Sequence, residues 1–210
     1  MKGVRGGIIA VMLAAMMAVP TTAWADDAGE DGGQITVTVP EGGGSEGDIS
    51  IVDAQFRWGL NAESGAGAFA GGCNFLSAGR AGDVGAGGIV WTAAHDLYRA
   101  SDGAVRIEKP DAGGEFRPAT WADRCLDASG APLTTASLTQ TSGNHVVIDG
   151  GTGTLSTDGR LRITWKGSFT VVFYGGMTYW SVTDPVLAVD SAGNGTVTAT
   201  ASATTTITRL

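Results

Sequence analysis

The chain has few charged side chains, and cations are the scarcer kind. Of its 210 residues, 16% are charged, with 13 Lys and Arg against 21 Asp and Glu, so the formal net charge is −8. Because phosphate contacts need clustered cations, this composition excludes a nucleic-acid-binding protein. The 34 glycines follow no three-residue period and are accompanied by only 6 prolines, which excludes a collagen-like chain. A hydrophobic content of 43% is too high for a fully disordered chain, and the length predicts one domain.

Residues that build metal and catalytic sites are also scarce. The chain has 2 His and 2 Cys, with no Cys-x-x-Cys, His-x-His or His-x-x-x-His spacing, so we predict no metal site. His95 and Asp96 are neighbours in the chain, and on a strand they would point to opposite faces rather than pair as a base and its orienting carboxylate. An all-β chain also lacks the strand–turn–helix scaffold of a nucleophile elbow. We therefore predict that the protein is not an enzyme.

The amino terminus has the pattern of an export signal. Lys2 and Arg5 precede an apolar run over residues 8–19, and Ala23-Trp24-Ala25 then places small residues at the two key positions of a signal-peptidase site. We predict a signal peptide over residues 1–25. The apolar run is too short to span a bilayer and no second long apolar stretch follows, so we predict a secreted or extracytoplasmic protein without a transmembrane span. Association with the cell envelope and the oligomeric state stay open.

Export makes the cysteine count informative. Secreted chains fold in an oxidising compartment, so Cys73 and Cys125 are predicted to form one disulfide. In the chain-entropy description, closing a loop of about 50 residues stabilises the fold by roughly 4 kcal/mol.

The body of the chain reads as short strands separated by Gly and Asp turns. Residues 26–46 are acidic and Gly-rich and contain one alternating stretch, residues 34–39, that predicts a strand. From residue 47 to 210 we predict one all-β domain, an antiparallel β-sandwich or barrel-like fold. Asp158-Gly159 between two β-prone runs predicts a hairpin, and the apolar stretch 168–174 predicts a central buried strand. Further strands are predicted over 49–52, 54–58, 105–108, 146–148, 152–156, 160–166, 186–189 and 196–207; only residues 91–98 could form a short helical turn.

Aromatic side chains concentrate between residues 165 and 180. Most of these rings are expected in the core. The segment Tyr174-Gly175-Gly176-Met177 is different, because a Gly pair after a strand lets the backbone approach a ligand or a neighbouring strand closely. The sequence thus offers a floor for a flat apolar ligand.

Several segments in order resemble the HtaA domain family of actinobacterial secreted and surface proteins, which is named from haemin transport. They are Phe-Arg-Trp-Gly-Leu-Asn at residues 56–61 and Gly-Ala-Val-Arg-Ile at 103–107, then the stretch 165–173, Asp-Pro-Val-Leu-Ala-Val at 184–189 and Gly-Thr-Val at 195–197. The resemblance covers roughly residues 49–207 and rests on order and spacing. It implies an all-β extracytoplasmic domain whose haem-binding members hold iron through a Tyr.

The resemblance also fixes where the haem residues would fall. The Tyr position lies near Ala68 or Phe69, downstream of a Ser position near Ser64, and the supporting Gly-His corresponds to Gly175-Gly176. Since neither family side chain is present, Tyr98 and His145 join the candidates for haem or ligand binding. The candidate site set is Tyr174, Met177, Tyr179, Trp58 and His95.

Two functions remain open at this point. The first is a secreted HtaA-like ligand-binding or cell-surface domain with haem as candidate cofactor, whose partners would be haem or haem-transfer surface proteins. The second is a structural or adhesive cell-envelope protein without a small ligand. The Thr-rich final strand and the acidic surface favour this second function.

Overall fold

The structure, a computed structural model, describes residues 8–10, 34–38, 47–82, 88–137 and 139–203. The predicted all-β class is confirmed: the described residues form antiparallel strands and only three short 3₁₀ helices, Ala62–Gly65, Ala93–His95 and Tyr174–Gly176. The strands are β1 (Ile8–Ala10), β2 (Gln34–Thr38), β3 (Ile49–Trp58), β4 (Gly67–Ala68), β5 (Gly72–Cys73), β6 (Phe75–Ala78), β7 (Ser101–Asp102), β8 (Val105–Pro110), β9 (Phe116–Pro118), β10 (His145–Leu155), β11 (Leu161–Thr164), β12 (Ser168–Phe173), β13 (Thr178–Val189) and β14 (Gly195–Ala203).

Most of the predicted signal peptide, residues 1–7 and 11–25, lies outside the described residues, as do 26–33, 39–46 and 204–210. Within the described residues, β1 pairs with β2, and β2 pairs with β3. The expected strand at 34–39 is therefore present over its described residues, 34–38, and extends the domain sheet. No helix in the described part of the chain is long and apolar enough to cross a membrane.

Two long strands branch the main sheet. β10 pairs along one edge with β3, while its other edge pairs first with β8 and then with β11. β13 pairs on one edge first with β12 and then with β11, and on the other edge with β14. The path β1-β2-β3-β10-β11-β13-β12-β6 has two ends, so these strands do not close into a barrel.

β10 corrects one expectation from the sequence. We predicted strands at 146–148 and 152–156 separated by a turn at Asp149-Gly150-Gly151, but the structure has a single strand through this segment. The register shifts between Ile148 and Gly151 and again before Gly153, and Gly150 adopts a φ of 74°. A bulge keeps the strand paired while bending it. Locally, a bulge and a turn use the same residues, which is why the sequence suggested the turn.

Trp165 lies in the chain between β11 and β12, and its side chain belongs to the main core. It is fully buried, and its Nε1 donates a hydrogen bond of 2.9 Å to the Ala54 carbonyl. Gly151 is required beside it, because a Cβ there would lie 2.7 Å from Trp165 Cε2. Other large apolar side chains of this core are Ile51, Phe56, Leu76, Val105, Ile107, Val146, Ile148, Ile163, Phe169, Val171, Val182 and Leu187.

A second, smaller core surrounds the disulfide. Cys73 and Cys125 are bonded, with their Cα atoms 5.4 Å apart, as the cysteine count predicted. Buried around them are Phe75, Trp91, Leu133 and Val172.

Two local predictions are confirmed. The Asp158-Gly159 hairpin joins β10 to β11, and Gly159 has a φ of 84°. The four central residues of β12, 169–172, are completely buried, as expected for a central strand. The segment 91–98 forms only the single 3₁₀ turn Ala93–His95, and the final strand is described as far as Ala203.

Candidate functional site

Two glycine turns from distant parts of the chain touch at one point of the fold. Gly71 follows the β4 strand and Gly175 follows β12, with φ angles of 67° and 65°. A Cβ on Gly175 would lie 3.1 Å from the Gly71 carbonyl carbon and closer still to the Gly71 Cα, so a side chain there would force the two turns apart. A third segment joins them, because the Trp91 N–H donates to the Gly175 carbonyl at 2.8 Å.

The Asn74 side chain stabilises the Tyr174 turn through two hydrogen bonds. Its side-chain oxygen accepts a hydrogen bond of 2.8 Å from the Tyr174 N–H, and its Nδ2 donates to the Glu63 carbonyl at the same distance. Asn74 is almost fully buried. These two hydrogen bonds fix the Tyr174 turn to the residue that follows Cys73 between β5 and β6.

Four large side chains on the segments that meet at these turns are exposed to solvent. Phe69 is 93% exposed, Tyr174 46%, Met177 41% and Val90 38%. Each of these side chains sits on one of the three segments that meet at Gly71 and Gly175. We call this set of four residues the Gly71–Gly175 patch. Exposed large apolar side chains in one region of a fold can mark a binding surface, so this region is the candidate site.

The three tyrosines of the chain have different environments. Burial, with a smaller contribution from Asp123, raises the pKa of Tyr98, so its phenol stays protonated. The Tyr179 hydroxyl donates to the Gly82 carbonyl at 2.9 Å, and its ring meets the Trp91 edge at 5.2 Å between centroids. Tyr174 is the tyrosine whose side chain reaches the surface of the patch.

The candidate residues from the sequence fall into two regions. Tyr174 and Met177 belong to the Gly71–Gly175 patch. Tyr179 is connected to the patch indirectly, because its ring packs against Trp91, whose N–H donates to the Gly175 carbonyl. His95 is exposed on the segment that continues from Trp91, and its Nδ1 accepts a hydrogen bond of 3.1 Å from the Thr92 N–H.

Trp58 lies apart from the other candidates. It packs in the main core, 6.1 Å from the Phe56 ring and 6.4 Å from the Phe169 ring. The remaining histidine, His145, starts β10 and stacks on Phe116 at 4.7 Å between ring centroids.

Phe69 and Val90 were not among the candidates, although both belong to the patch. A signal for Phe69 was present in the sequence, because the expected resemblance to the HtaA family would place its Tyr position at Ala68 or Phe69 and its Gly-His position at Gly175-Gly176. In the fold Gly71, two residues after Phe69, lies against Gly175. For Val90 we find no signal in the sequence.

An ion-pair network occupies another surface of the domain. Glu108 accepts hydrogen bonds from Arg57 and, at 2.6 Å, from Arg106, which also pairs with Asp149. Burial alone would raise the pKa of Glu108, but the hydrogen bonds and charges of the two arginines outweigh it and hold the pKa below its usual value. The network is a structural feature that joins β3, β8 and β10.

Within residues 47–82, 88–137 and 139–203, no three His, Cys, Asp or Glu side chains are grouped so that they could hold a metal ion. In comparisons with known proteins, no family model, no curated protein and no solved structure matches the chain.

Proposed function

We propose that the chain is exported and that its mature domain is a ligand-binding module at the cell surface, which takes a flat apolar ligand on the Gly71–Gly175 patch. Haem is the ligand that fits best. The observation that carries the proposal is the contact between Gly71 and Gly175. The resemblance to the HtaA family puts the Tyr position of haem-binding members at Ala68 or Phe69, just before Gly71, and their Gly-His at Gly175-Gly176.

The chemistry of the patch supports this ligand in two ways. Phe69, Val90 and Met177 offer exposed apolar surface, which a porphyrin ring would bury. Tyr174 supplies a half-exposed phenol on the same turn as Met177, and a phenolate oxygen is an established axial ligand of ferric haem iron. Tyr174 would thus replace the tyrosine that is missing at positions 68 and 69.

Export is part of the same proposal. The disulfide between Cys73 and Cys125 is the kind of bond that persists outside the cytoplasm. Mass measurement of the secreted product tests it: we expect a chain that starts at Asp26, and retention of residues 1–25 would contradict export by this signal. Cleavage would also remove β1 from the sheet.

A haemin titration of the mature protein tests the ligand. We expect a Soret band that saturates at about one equivalent, a band that Tyr174→Phe removes and Tyr179→Phe keeps. Tyr179→Phe is the matched control because it deletes one phenol oxygen that already donates to the Gly82 carbonyl. A spectrum that is only that of free haemin would refute haem binding, and equal loss in both variants would refute Tyr174 as the ligand.

The second candidate function is a structural or adhesive envelope protein. It is favoured by β14, whose residues are almost all exposed and alternate Thr or Ser with small apolar side chains. Co-sedimentation with cell-envelope fragments by a protein that gives no haem absorption is the result expected for this alternative.

A further inference from the structure

A trough that is open to solvent lies on the main sheet and shares no residue with the Gly71–Gly175 patch. It has a volume of about 860 Å³ and crosses β3, β10, β11 and β13. Sites for small ligands commonly measure about 300 to 1,000 Å³. The trough therefore has room for a ligand of several rings, and it is open to solvent.

The pairing register arranges the trough's polar side chains in two rows. Ser50, Thr154 and Arg162 stand opposite one another on three neighbouring strands, and Thr152 stands opposite Thr164 in the next row. Neighbouring strands are about 4.8 Å apart, so each row presents hydroxyl and guanidinium groups at regular steps on rigid backbone. Ile163, which lies between Arg162 and Thr164, points the other way into the core.

The charge of the trough is opposite to that of the protein. The chain has a net charge of −8, yet Arg160 and Arg162 line the trough, and its lining contains no Asp or Glu. Arg160 pairs with Asp158 at 2.6 Å at the rim. Arg162 is exposed, and among the described residues it makes no ion pair. A guanidinium with free donors recognises a carboxylate or phosphate group.

We propose that this trough binds an acidic oligosaccharide, with Arg162 bound to a sugar carboxylate and the rows of Ser and Thr hydroxyls bound to the sugar hydroxyls. Hydroxyl groups repeated on neighbouring strands suit a chain of hydroxylated units better than a compact anion. No aromatic side chain lines it, so a porphyrin finds no ring to stack on there. The inference is independent of haem binding at the Gly71–Gly175 patch.

An NMR titration of the ¹⁵N-labelled protein tests this inference. The probe is a short oligomer of galacturonic acid, and the comparison ligands are the matching neutral galactose oligomer and inorganic phosphate. We expect the amide signals of Thr152, Thr154 and Arg162 to shift with millimolar or tighter galacturonate, and this affinity to fall as salt is added. The neutral oligomer should bind at least about tenfold more weakly, the factor for one lost charge-assisted hydrogen bond. Phosphate keeps that bond to Arg162 but should also bind more weakly, because it has no sugar hydroxyls to contact the rows of Ser and Thr.

Two variants of equal charge complete the test. Arg162→Gln should weaken galacturonate binding by about tenfold, whereas Arg80→Gln, at an exposed position after β6, should leave it unchanged. Neither variant should alter the haemin titration. Equal binding of the neutral oligomer, equal binding of phosphate, shifts confined to other strands, or equal loss in both variants would each overturn the proposal.

Discussion

Replacing Gly175 with alanine tests whether the two glycine turns really meet. The new methyl group would be introduced where φ is 65°, a conformation that costs a residue with a side chain about 1 to 2 kcal/mol. It would also lie 3.1 Å from the carbonyl carbon and 3.2 Å from the carbonyl oxygen of Gly71. Backbone atoms cannot rotate away as a side chain can, so the two turns must separate, and such overpacking typically costs about 1 to 3 kcal/mol.

The expected destabilisation is the sum of these two contributions, about 2 to 5 kcal/mol. Gly130→Ala is the matched control, because Gly130 has a φ of 85° but nothing within 4 Å of the position of its Cβ. Gly130→Ala should lower the free energy of unfolding only by the conformational contribution, about 1 to 2 kcal/mol. For a domain of this size each kcal/mol lowers the melting temperature by roughly 2 to 4 °C.

Urea unfolding of the mature protein, followed by tryptophan fluorescence, measures both variants. The difference between the Gly175→Ala and Gly130→Ala free energies of unfolding isolates the contact with Gly71. If the two variants lose the same free energy, the turns do not touch and the Gly71–Gly175 patch is not assembled as described. Under the proposed function, Gly175→Ala should also weaken haemin binding, while Gly130→Ala should not.

Three other perturbations probe the fold that supports the site. Replacing both Cys73 and Cys125 by alanine should destabilise the domain by about 4 kcal/mol, because they close a loop with a sequence separation of 52, and urea unfolding measures the loss. Trp165→Phe should cost about 2 to 3 kcal/mol, since it leaves the buried Ala54 carbonyl without its donor, and thermal unfolding checks it. The fold lowers the pKa of Glu108, so the stabilisation from its carboxylate is present above the ordinary glutamate pKa and is lost as the pH falls through the folded-state pKa. Glu108→Gln should therefore make the free energy of unfolding decline less steeply in acid, which urea unfolding at several pH values measures.

Each of these expectations has a clear opposite. A double-alanine variant as stable as the oxidised protein would show that the disulfide constrains nothing in the unfolded chain. An unchanged melting temperature for Trp165→Phe would mean that its hydrogen bond is replaced. An acid unfolding curve for Glu108→Gln that parallels the parent would assign the pH dependence to other carboxylates.

Local signals sufficed for part of this fold. The apolar stretch 168–174 predicted the buried central strand, and Asp158-Gly159 predicted the hairpin because only a few residue pairs suit such a turn. Local signals were insufficient at Asp149-Gly150-Gly151. There β3 on one side and β8 and β11 on the other keep the segment paired, and these partners lie far away in the chain. The strands β4, β5, β7 and β9 have two or three residues each, too few for any periodic pattern.

The candidate site shows the same division. Tyr174 and Met177 could be selected from the sequence because aromatic residues next to paired glycines are unusual. Phe69 and Val90 could not be joined to them by any local rule.

The sequence alone determined the all-β class and the disulfide, and it supplied the reasons for expecting export, because these depend on composition, on short-range periodicity and on the number of cysteines. Only the tertiary structure decided that Gly71 touches Gly175 and that Ser50, Thr154 and Arg162 form one row. Both arrangements depend on which distant strands pair and in what register. That choice is made by burying a shared core, and no stretch of the chain encodes it by itself.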